Sequence, residues 1–255
     1  MNPYLARRAL AELLGTAMLV AIVVGSGIMA ARLSPGAVGL QLLENSTATA
    51  LGLAAIILIF APVSGAHFNP VVTLADYALG RRTGSGLDPR TVAVFIPAQI
   101  AGGIGGAVLA NLMFALPAAT ASTHTRSSGH LWLGEVVATA GLILLIFALG
   151  RTGRGHYGPA AVGAYIGAAY WFTSSTSFAN PAVTIARAFT NTFAGIAPGS
   201  ILGFVLAQLL GAALGIILVA ALYPAALPEA LAPLDVNTDR DASLDSSTPV
   251  SAARH

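Results

Sequence analysis

Six segments of this 255-residue chain are apolar for roughly the length of about 20 residues that a helix needs to cross a bilayer. They cover approximately residues 9–31, 44–62, 91–116, 131–150, 158–174 and 199–223. Only 9% of all residues are charged and 56% are hydrophobic, which excludes a disordered chain and an ordinary soluble enzyme. The pattern therefore predicts an all-α membrane protein with six transmembrane helices.

The distribution of the arginines indicates an orientation. Arg7 and Arg8 precede the first segment, and their side of the predicted topology carries seven loop arginines against two on the other side. Under the positive-inside rule, both termini are cytoplasmic and the protein is a multi-pass protein of the cell inner (plasma) membrane. The basic residues are spread along the chain and not clustered, so we expect no nucleic-acid partner.

The two halves of the chain repeat each other. Residues 67–75 read His-Phe-Asn-Pro-Val-Val-Thr-Leu-Ala, and residues 178–186 read Phe-Ala-Asn-Pro-Ala-Val-Thr-Ile-Ala. Because each half holds three predicted spans, the second half must run through the bilayer inverted relative to the first. We therefore expect a first repeat at 1–116, a second repeat at 117–224 and a disordered cytoplasmic tail at 225–255, rich in Pro, Ala, Ser and Asp.

The repeated Asn-Pro pairs predict the starts of two half-helices, because Asn is a preferred N-cap and Pro is favoured at the first helical position. The apolar stretches after Asn69 and Asn180 are too short to cross the bilayer. If both starts meet at the midplane, their positive helix ends repel cations, including hydronium. Asn N–H donors that hold the oxygen of a passing water also interrupt proton hopping.

These features resemble the aquaporin/aquaglyceroporin (major intrinsic protein) family, here a bacterial member. The residues that carry the resemblance are Ala11-Glu12, residues 64–71, Gln99, Glu135, Asn180-Pro181-Ala182 and Gln208. The resemblance implies six tilted helices plus two half-helices, one pore per subunit and a homotetramer. It also implies that Glu12 and Glu135 are buried structural braces and that His67 lines the cytoplasmic side of the pore. The pore centre that it implies consists of Asn69, Pro70, Val71, Asn180, Pro181 and Ala182.

The chain departs from the family at the expected selectivity filter. Val183 stands where the family normally has Arg, and the nearest arginine, Arg187, lies four residues further on. Since residues i and i+4 share a helix face, Arg187 either restores part of the charge or pairs near the outer surface. Ser177 is the expected loop position of the filter. The helix positions depend on whether a gap is counted: Leu51 or Thr49 in the second span, and Tyr170 or Ala168 in the fifth.

A filter without the usual Arg predicts a wider and less polar constriction. We therefore expect a passive channel for small uncharged solutes: water, glycerol and metalloid acids such as arsenite. The alternative is an ion-coupled, alternating-access secondary transporter, which also uses inverted repeats and broken helices. The chain has no cysteine, and no nucleophile–base pair or metal-ligand cluster stands out. We therefore expect no enzyme activity, no metal and no cofactor.

Overall fold

A computed structural model describes residues 2–81 and 84–224. The predicted tail, 225–255, lies outside the described residues. The described chain forms eight α-helices and no strand, which confirms the predicted all-α class. The helices are α1 (Pro3–Leu33), α2 (Val38–Ser64), α3 (Pro70–Gly80), α4 (Pro89–Met113), α5 (Gly129–Arg151), α6 (Gly158–Phe172), α7 (Pro181–Ala186) and α8 (Ile201–Leu222).

Five of these helices, α1, α2, α4, α5 and α8, are long and apolar enough to cross a membrane. The fifth predicted span corresponds to α6, which has only 15 residues and therefore measures about 22 Å. A 3₁₀ turn, Gly155–Tyr157, precedes α6 and lengthens it. The three-helix set of each half is thus present, with its shortest member in the second half.

Both halves use the same packing. Helix α1 packs against α2 and α4, and α5 packs against α6 and α8. Gly102 brings α4 against the backbone of α1, where a Cβ at that position would lie 3.0 Å from the Cα of Leu13. Gly211 does the same for α8 and α5, since a Cβ there would lie 3.1 Å from the Cα of Val136. Only glycine permits helices to approach this closely.

The two ends of the bundle are defined by contacts between helix ends. At the end where α1 begins, called the near end, the guanidinium of Arg8 donates to the carbonyl of Ser64 at 3.4 Å. At the opposite, far end, Arg32 donates to the carbonyl of Phe114 at 2.8 Å, and the Trp171 indole donates to the Ser46 hydroxyl at 3.1 Å. Helix α2 therefore runs from the far end to the near end. Helices α5 and α8 run the same way, because the start of α5 accepts from Ser174, just after the far end of α6, and the segments that precede α5 and α8 meet through Arg126 and Ser200.

The short helices α3 and α7 start as the Asn-Pro pairs predict. The Asn69 carboxamide oxygen accepts from the Val71 N–H at 3.1 Å, and that of Asn180 accepts from the Ala182 and Val183 N–H groups at 2.9 and 3.2 Å. Each Asn side chain thereby satisfies N–H groups that a helix start leaves unpaired. Helix α7 spans only six residues and continues as a 3₁₀ turn, Arg187–Phe189.

Candidate functional site

The two Asn-Pro starts meet inside the bundle and bind each other. The side-chain nitrogen of Asn69 donates to the carbonyl of Ala179 at 2.8 Å, and that of Asn180 donates to the carbonyl of Phe68 at the same distance. Each asparagine thus holds the loop of the other half. Because a primary amide has two N–H groups, one remains on each side chain after this bond is made.

The loops before the asparagines carry the same backbone strain in both halves. Ala66 and Phe68 have φ values of 52° and 50°, and Ser177 and Ala179 have φ values of 51° and 47°. Residues other than glycine rarely adopt this left-handed conformation, which costs roughly 1–2 kcal/mol per residue. Strain repeated at equivalent positions indicates a backbone path that the site requires, since the surrounding contacts must hold it in place.

Two buried glutamates supply those contacts. Glu12 accepts from the backbone N–H groups of His67 and Phe68 at 3.0 and 2.7 Å, and Glu135 accepts from those of Phe178 and Ala179 at 2.8 Å each. Hydrogen bonds to a charged group contribute about 1.5–3 kcal/mol each, enough to offset the strain. Each glutamate thus binds two consecutive backbone N–H groups of the loop in its own half.

Each glutamate is held in turn by a glutamine. The Gln99 amide donates to Glu12 at 2.7 Å and to the Thr73 hydroxyl at 2.9 Å. In the second half, the Gln208 amide donates to Glu135 at 2.6 Å and to the Thr184 hydroxyl at 2.8 Å. The carboxylates are therefore fixed from both sides. A side chain locked in this way holds its loop rigidly.

One cavity of about 550 Å³ runs through the bundle from the near end past both asparagines. At the near end it is lined by Gly150, Gly155 and His156, and further in by His67. His67 is half-buried, and its ring Nδ1 lies 3.1 Å from the Thr73 hydroxyl. The helices add apolar walls: Leu19, Val23, Leu53, Ile57, Leu142, Ile146, Val162 and Ile166. The path is therefore polar along the loops and apolar along the helices.

At its far end the cavity is lined by Thr49, Tyr170, Ser177, Val183 and Arg187. The hydroxyl oxygens of Thr49 and Tyr170 are 3.3 Å apart. Val183 is buried on α7. Arg187 is also buried, with its guanidinium over the ring of Phe178 and its Nε bound to the carbonyl of Ala194.

Two of the alternative filter residues do not line the cavity. Leu51 is 69% exposed on the outer surface of α2, and Ala168 is exposed on α6. Each is two residues from the cavity-lining member of its pair, Thr49 or Tyr170. Two residues correspond to about 200° around a helix, so the two members of a pair face opposite sides. Of the two alternatives for each helix, Thr49 and Tyr170 therefore lie at the cavity, and Leu51 and Ala168 lie away from it.

Comparison with known proteins is consistent with this geometry. The family described as "Major intrinsic protein" matches residues 2–177. The chain is 50% identical over 197 residues to "Aquaglyceroporin AqpS" of Rhizobium meliloti (strain 1021). The aligned region covers 77% of this chain and 82% of the relative. The chain belongs to the major intrinsic protein family.

Further similarities agree with this membership. The "Glycerol uptake facilitator protein" of Pseudomonas aeruginosa is 32% identical over 228 residues, covering 77% of this chain and 78% of the relative. Among solved structures, the aquaglyceroporin from Plasmodium falciparum matches with a TM-score of 0.63 at 20% identity, covering 84% of this chain and 95% of that one. That likeness concerns the fold, which is the one that the inverted repeat predicts. Members of this family are channels for small solutes and not enzymes.

Some residues that shape the site of this major intrinsic protein are not evident from the sequence alone. Thr73 and Thr184 orient the glutamines, and each lies four residues after an Asn of the repeated motif. The repeat itself is a signal that could have found them. No such signal marks Phe178 and Arg126. The Phe178 ring contacts the guanidinium of Arg187, and the guanidinium carbon of Arg126 lies 5.2 Å from the centroid of the same ring.

Proposed function

We propose that this major intrinsic protein is a passive channel for small uncharged solutes. Glycerol is the representative solute, and water and undissociated metalloid acids such as arsenite belong to the same class. The observation that carries the proposal is the cavity that passes both Asn69 and Asn180, with polar loops on one side and apolar helix walls on the other. A polyhydroxy solute can place its hydroxyl groups on the first surface and its carbon atoms on the second.

The far end of the cavity supports a filter wider than one for water alone. Thr49 and Tyr170 place hydroxyl groups there and Arg187 a guanidinium, while Val183 supplies neither charge nor donor. Small triols and metalloid acids present several hydroxyl groups to such a surface. The names of two relatives, an aquaglyceroporin and a glycerol uptake facilitator, favour the same solute class.

Exclusion of protons and cations is proposed at Asn69 and Asn180. Each side chain has one N–H donor left after its bond to the opposite loop, and both residues line the cavity. A water that accepts from these donors cannot pass a proton along the same bonds. The half-helix starts add positive partial charge at the same level.

The alternative, an ion-coupled transporter, would use as its coupling groups Glu12 and Glu135, the two carboxylates that occupy matching positions in the two halves. Glu12 and Glu135 are fully buried and are not among the residues that line the cavity. Each already accepts hydrogen bonds from two backbone N–H groups and a glutamine. Both therefore fit a bracing role better than ion coupling.

The orientation and assembly complete the proposal. Arg7 and Arg8 lie at the near end, which we place in the cytoplasm of the cell with the protein in its inner membrane. We also propose a homotetramer in the lipid bilayer, with one cavity in each subunit, as the family resemblance implies. Because the cavity is enclosed by the helices of one chain, each subunit conducts by itself.

Flux kinetics in proteoliposomes test the channel against the transporter. Glycerol flux through a channel rises linearly with the glycerol gradient and does not respond to an imposed sodium or proton gradient. Saturation at low glycerol together with stimulation by an ion gradient would favour the transporter. Protein-free liposomes give the background permeability of the lipid.

A further inference from the structure

We propose that the far end of the cavity binds a small planar oxyanion, such as nitrate or a carboxylate group, between Arg187 and Ser177. The site is part of the solute path, so its effect on transport rests on the proposed function. Binding itself does not depend on conduction. Four features of the structure carry the inference: a fixed cation, a net positive charge, an unpartnered hydroxyl and an apolar neighbour.

Arg187 is held as a fixed donor. It is only 3% exposed, its guanidinium carbon lies 3.4 Å from the centroid of the Phe178 ring, and its Nε donates to the carbonyl of Ala194. Among the described residues, nothing accepts a hydrogen bond from its two terminal nitrogens, and the side chain lines the cavity. A guanidinium in this state offers two parallel N–H donors, the arrangement that binds planar oxyanions in a bidentate manner.

The charges around Phe178 do not balance. Arg126 lies near the same ring, with its Nε donating to the carbonyl of Gly195 at 3.1 Å. Glu135 is the carboxylate that interacts with both arginines, and its oxygens are already occupied by backbone N–H groups and Gln208. Two cations against one anion leave a net positive charge in a largely buried place. Because a buried charge without a partner is costly, an anion is favoured there.

Ser177 supplies the second contact. It is 3% exposed, precedes Phe178 directly and lines the cavity. Its hydroxyl has no hydrogen-bond partner among residues 2–81 and 84–224. Buried hydroxyl groups are nearly always hydrogen-bonded, so this unpartnered hydroxyl, on a residue of the cavity wall, is a donor that a ligand can use once the side chain rotates toward the cavity.

Val183 is the apolar neighbour of the proposed oxyanion site. It lies one turn before Arg187, on the same helix face, and lines the same part of the cavity. Its side chain neither donates nor accepts, so it competes with no group of the oxyanion. An oxyanion seated there uses the donors that glycerol would use, and we therefore infer that the two compete.

Thermal unfolding of the full-length protein in detergent tests the binding step, with sodium nitrate compared with sodium chloride at equal ionic strength. Nitrate should raise the unfolding midpoint of the wild type, since a ligand that binds only the folded state stabilises it. Arg187→Gln should weaken the nitrate affinity by at least about tenfold, because it removes charge-assisted hydrogen bonds. Arg32→Gln, which removes a far-end cation outside the cavity, should respond as the wild type does.

Ser177→Ala is a second test of nitrate binding, which can be used even if Arg187→Gln does not fold. Its hydroxyl holds no other protein group among the described residues, so the variant should fold. It should lower the nitrate affinity by roughly 2- to 12-fold, the effect of one ordinary hydrogen bond. An unchanged affinity in Ser177→Ala, no nitrate effect on the wild type, or the same effect in Arg187→Gln would overturn the site.

Glycerol flux in the same salts tests the competition. Nitrate should reduce the glycerol permeability of wild-type proteoliposomes relative to chloride and leave that of Ser177→Ala less affected. A nitrate effect on unfolding without one on flux would show that the anion does not share the solute path, which contradicts the inferred competition. No glycerol flux in the wild type in either salt would contradict the proposed function, while the unfolding result still decides whether the anion binds.

Discussion

The hydroxyl oxygens of Thr49 and Tyr170 lie 3.3 Å apart at the far end of the cavity and form a buried hydrogen bond. Thr49 belongs to α2 and Tyr170 to the last turn of α6, so the bond joins the two halves of the chain. Both residues line the cavity. We propose that solutes with hydroxyl groups bind this pair at the far end of the cavity, in place of the bond between the two side chains.

Replacing Tyr170 with Phe tests that role. The ring keeps its size, but the solute loses one hydrogen-bond partner at the far end of the cavity. We expect glycerol permeability to fall by about 2- to 12-fold, the equivalent of one neutral hydrogen bond, with a smaller change for water. Stopped-flow light scattering of proteoliposomes gives both values. Tyr157→Phe, at an exposed position near the other end, is the matched control. Equal or faster glycerol flux in Tyr170→Phe would refute the role.

A carboxylate at the pore centre should admit protons. Asn180→Asp keeps the oxygen that caps α7 but loses the N–H donated to Phe68 and adds a negative charge beside the path. We expect a proton leak, measured with a pH-sensitive dye inside proteoliposomes, that the wild type does not show. Asn191→Asp places the same change in an exposed loop, where the side chain accepts from Thr123, and should remain tight to protons. A proton-tight Asn180→Asp would contradict exclusion at this position.

The centre of the site was predictable because its signals are local and repeated. An Asn-Pro pair specifies a helix start by capping alone, and two pairs at matching points of an inverted repeat specify where the starts meet. The residues at the filter were not predictable in this way. Deciding between Thr49 and Leu51 required the exact register of α2, and a shift of two residues turns a side chain to the opposite face.

The contacts of Arg187 could not be predicted from the sequence for a different reason. Its position four residues after Val183 indicated a shared face, but its partners are Phe178, in the loop before α7, and Ala194, in a later loop. Such contacts depend on how an irregular loop folds back on the helix. No periodic pattern records that path, so the choice between a filter charge and a surface pair stayed open.

The close packing of α4 against α1 can be tested with two substitutions in α4. Gly102→Ala places a Cβ against the backbone of Leu13, which cannot move aside as a flexible side chain would. We expect a loss of about 1–3 kcal/mol in stability, the usual cost of overpacking. Gly105→Ala, three residues along the same helix, meets nothing within 4 Å and should be neutral or stabilising. Thermal unfolding in detergent compares the two. Equal midpoints would show that the helices do not pack this closely.

The most direct test of a wide, solute-conducting path is the ratio of glycerol to water permeability in Val183→Arg, measured by stopped flow on proteoliposomes. Arginine at this cavity-lining position adds bulk, charge and donors at the far end. We predict that glycerol permeability falls by at least about tenfold, equivalent to ~1.4 kcal/mol in the barrier, while water permeability is retained. Val183→Leu, which adds size without charge, should have a smaller effect. Glycerol permeability equal to that of the wild type in Val183→Arg would contradict the account.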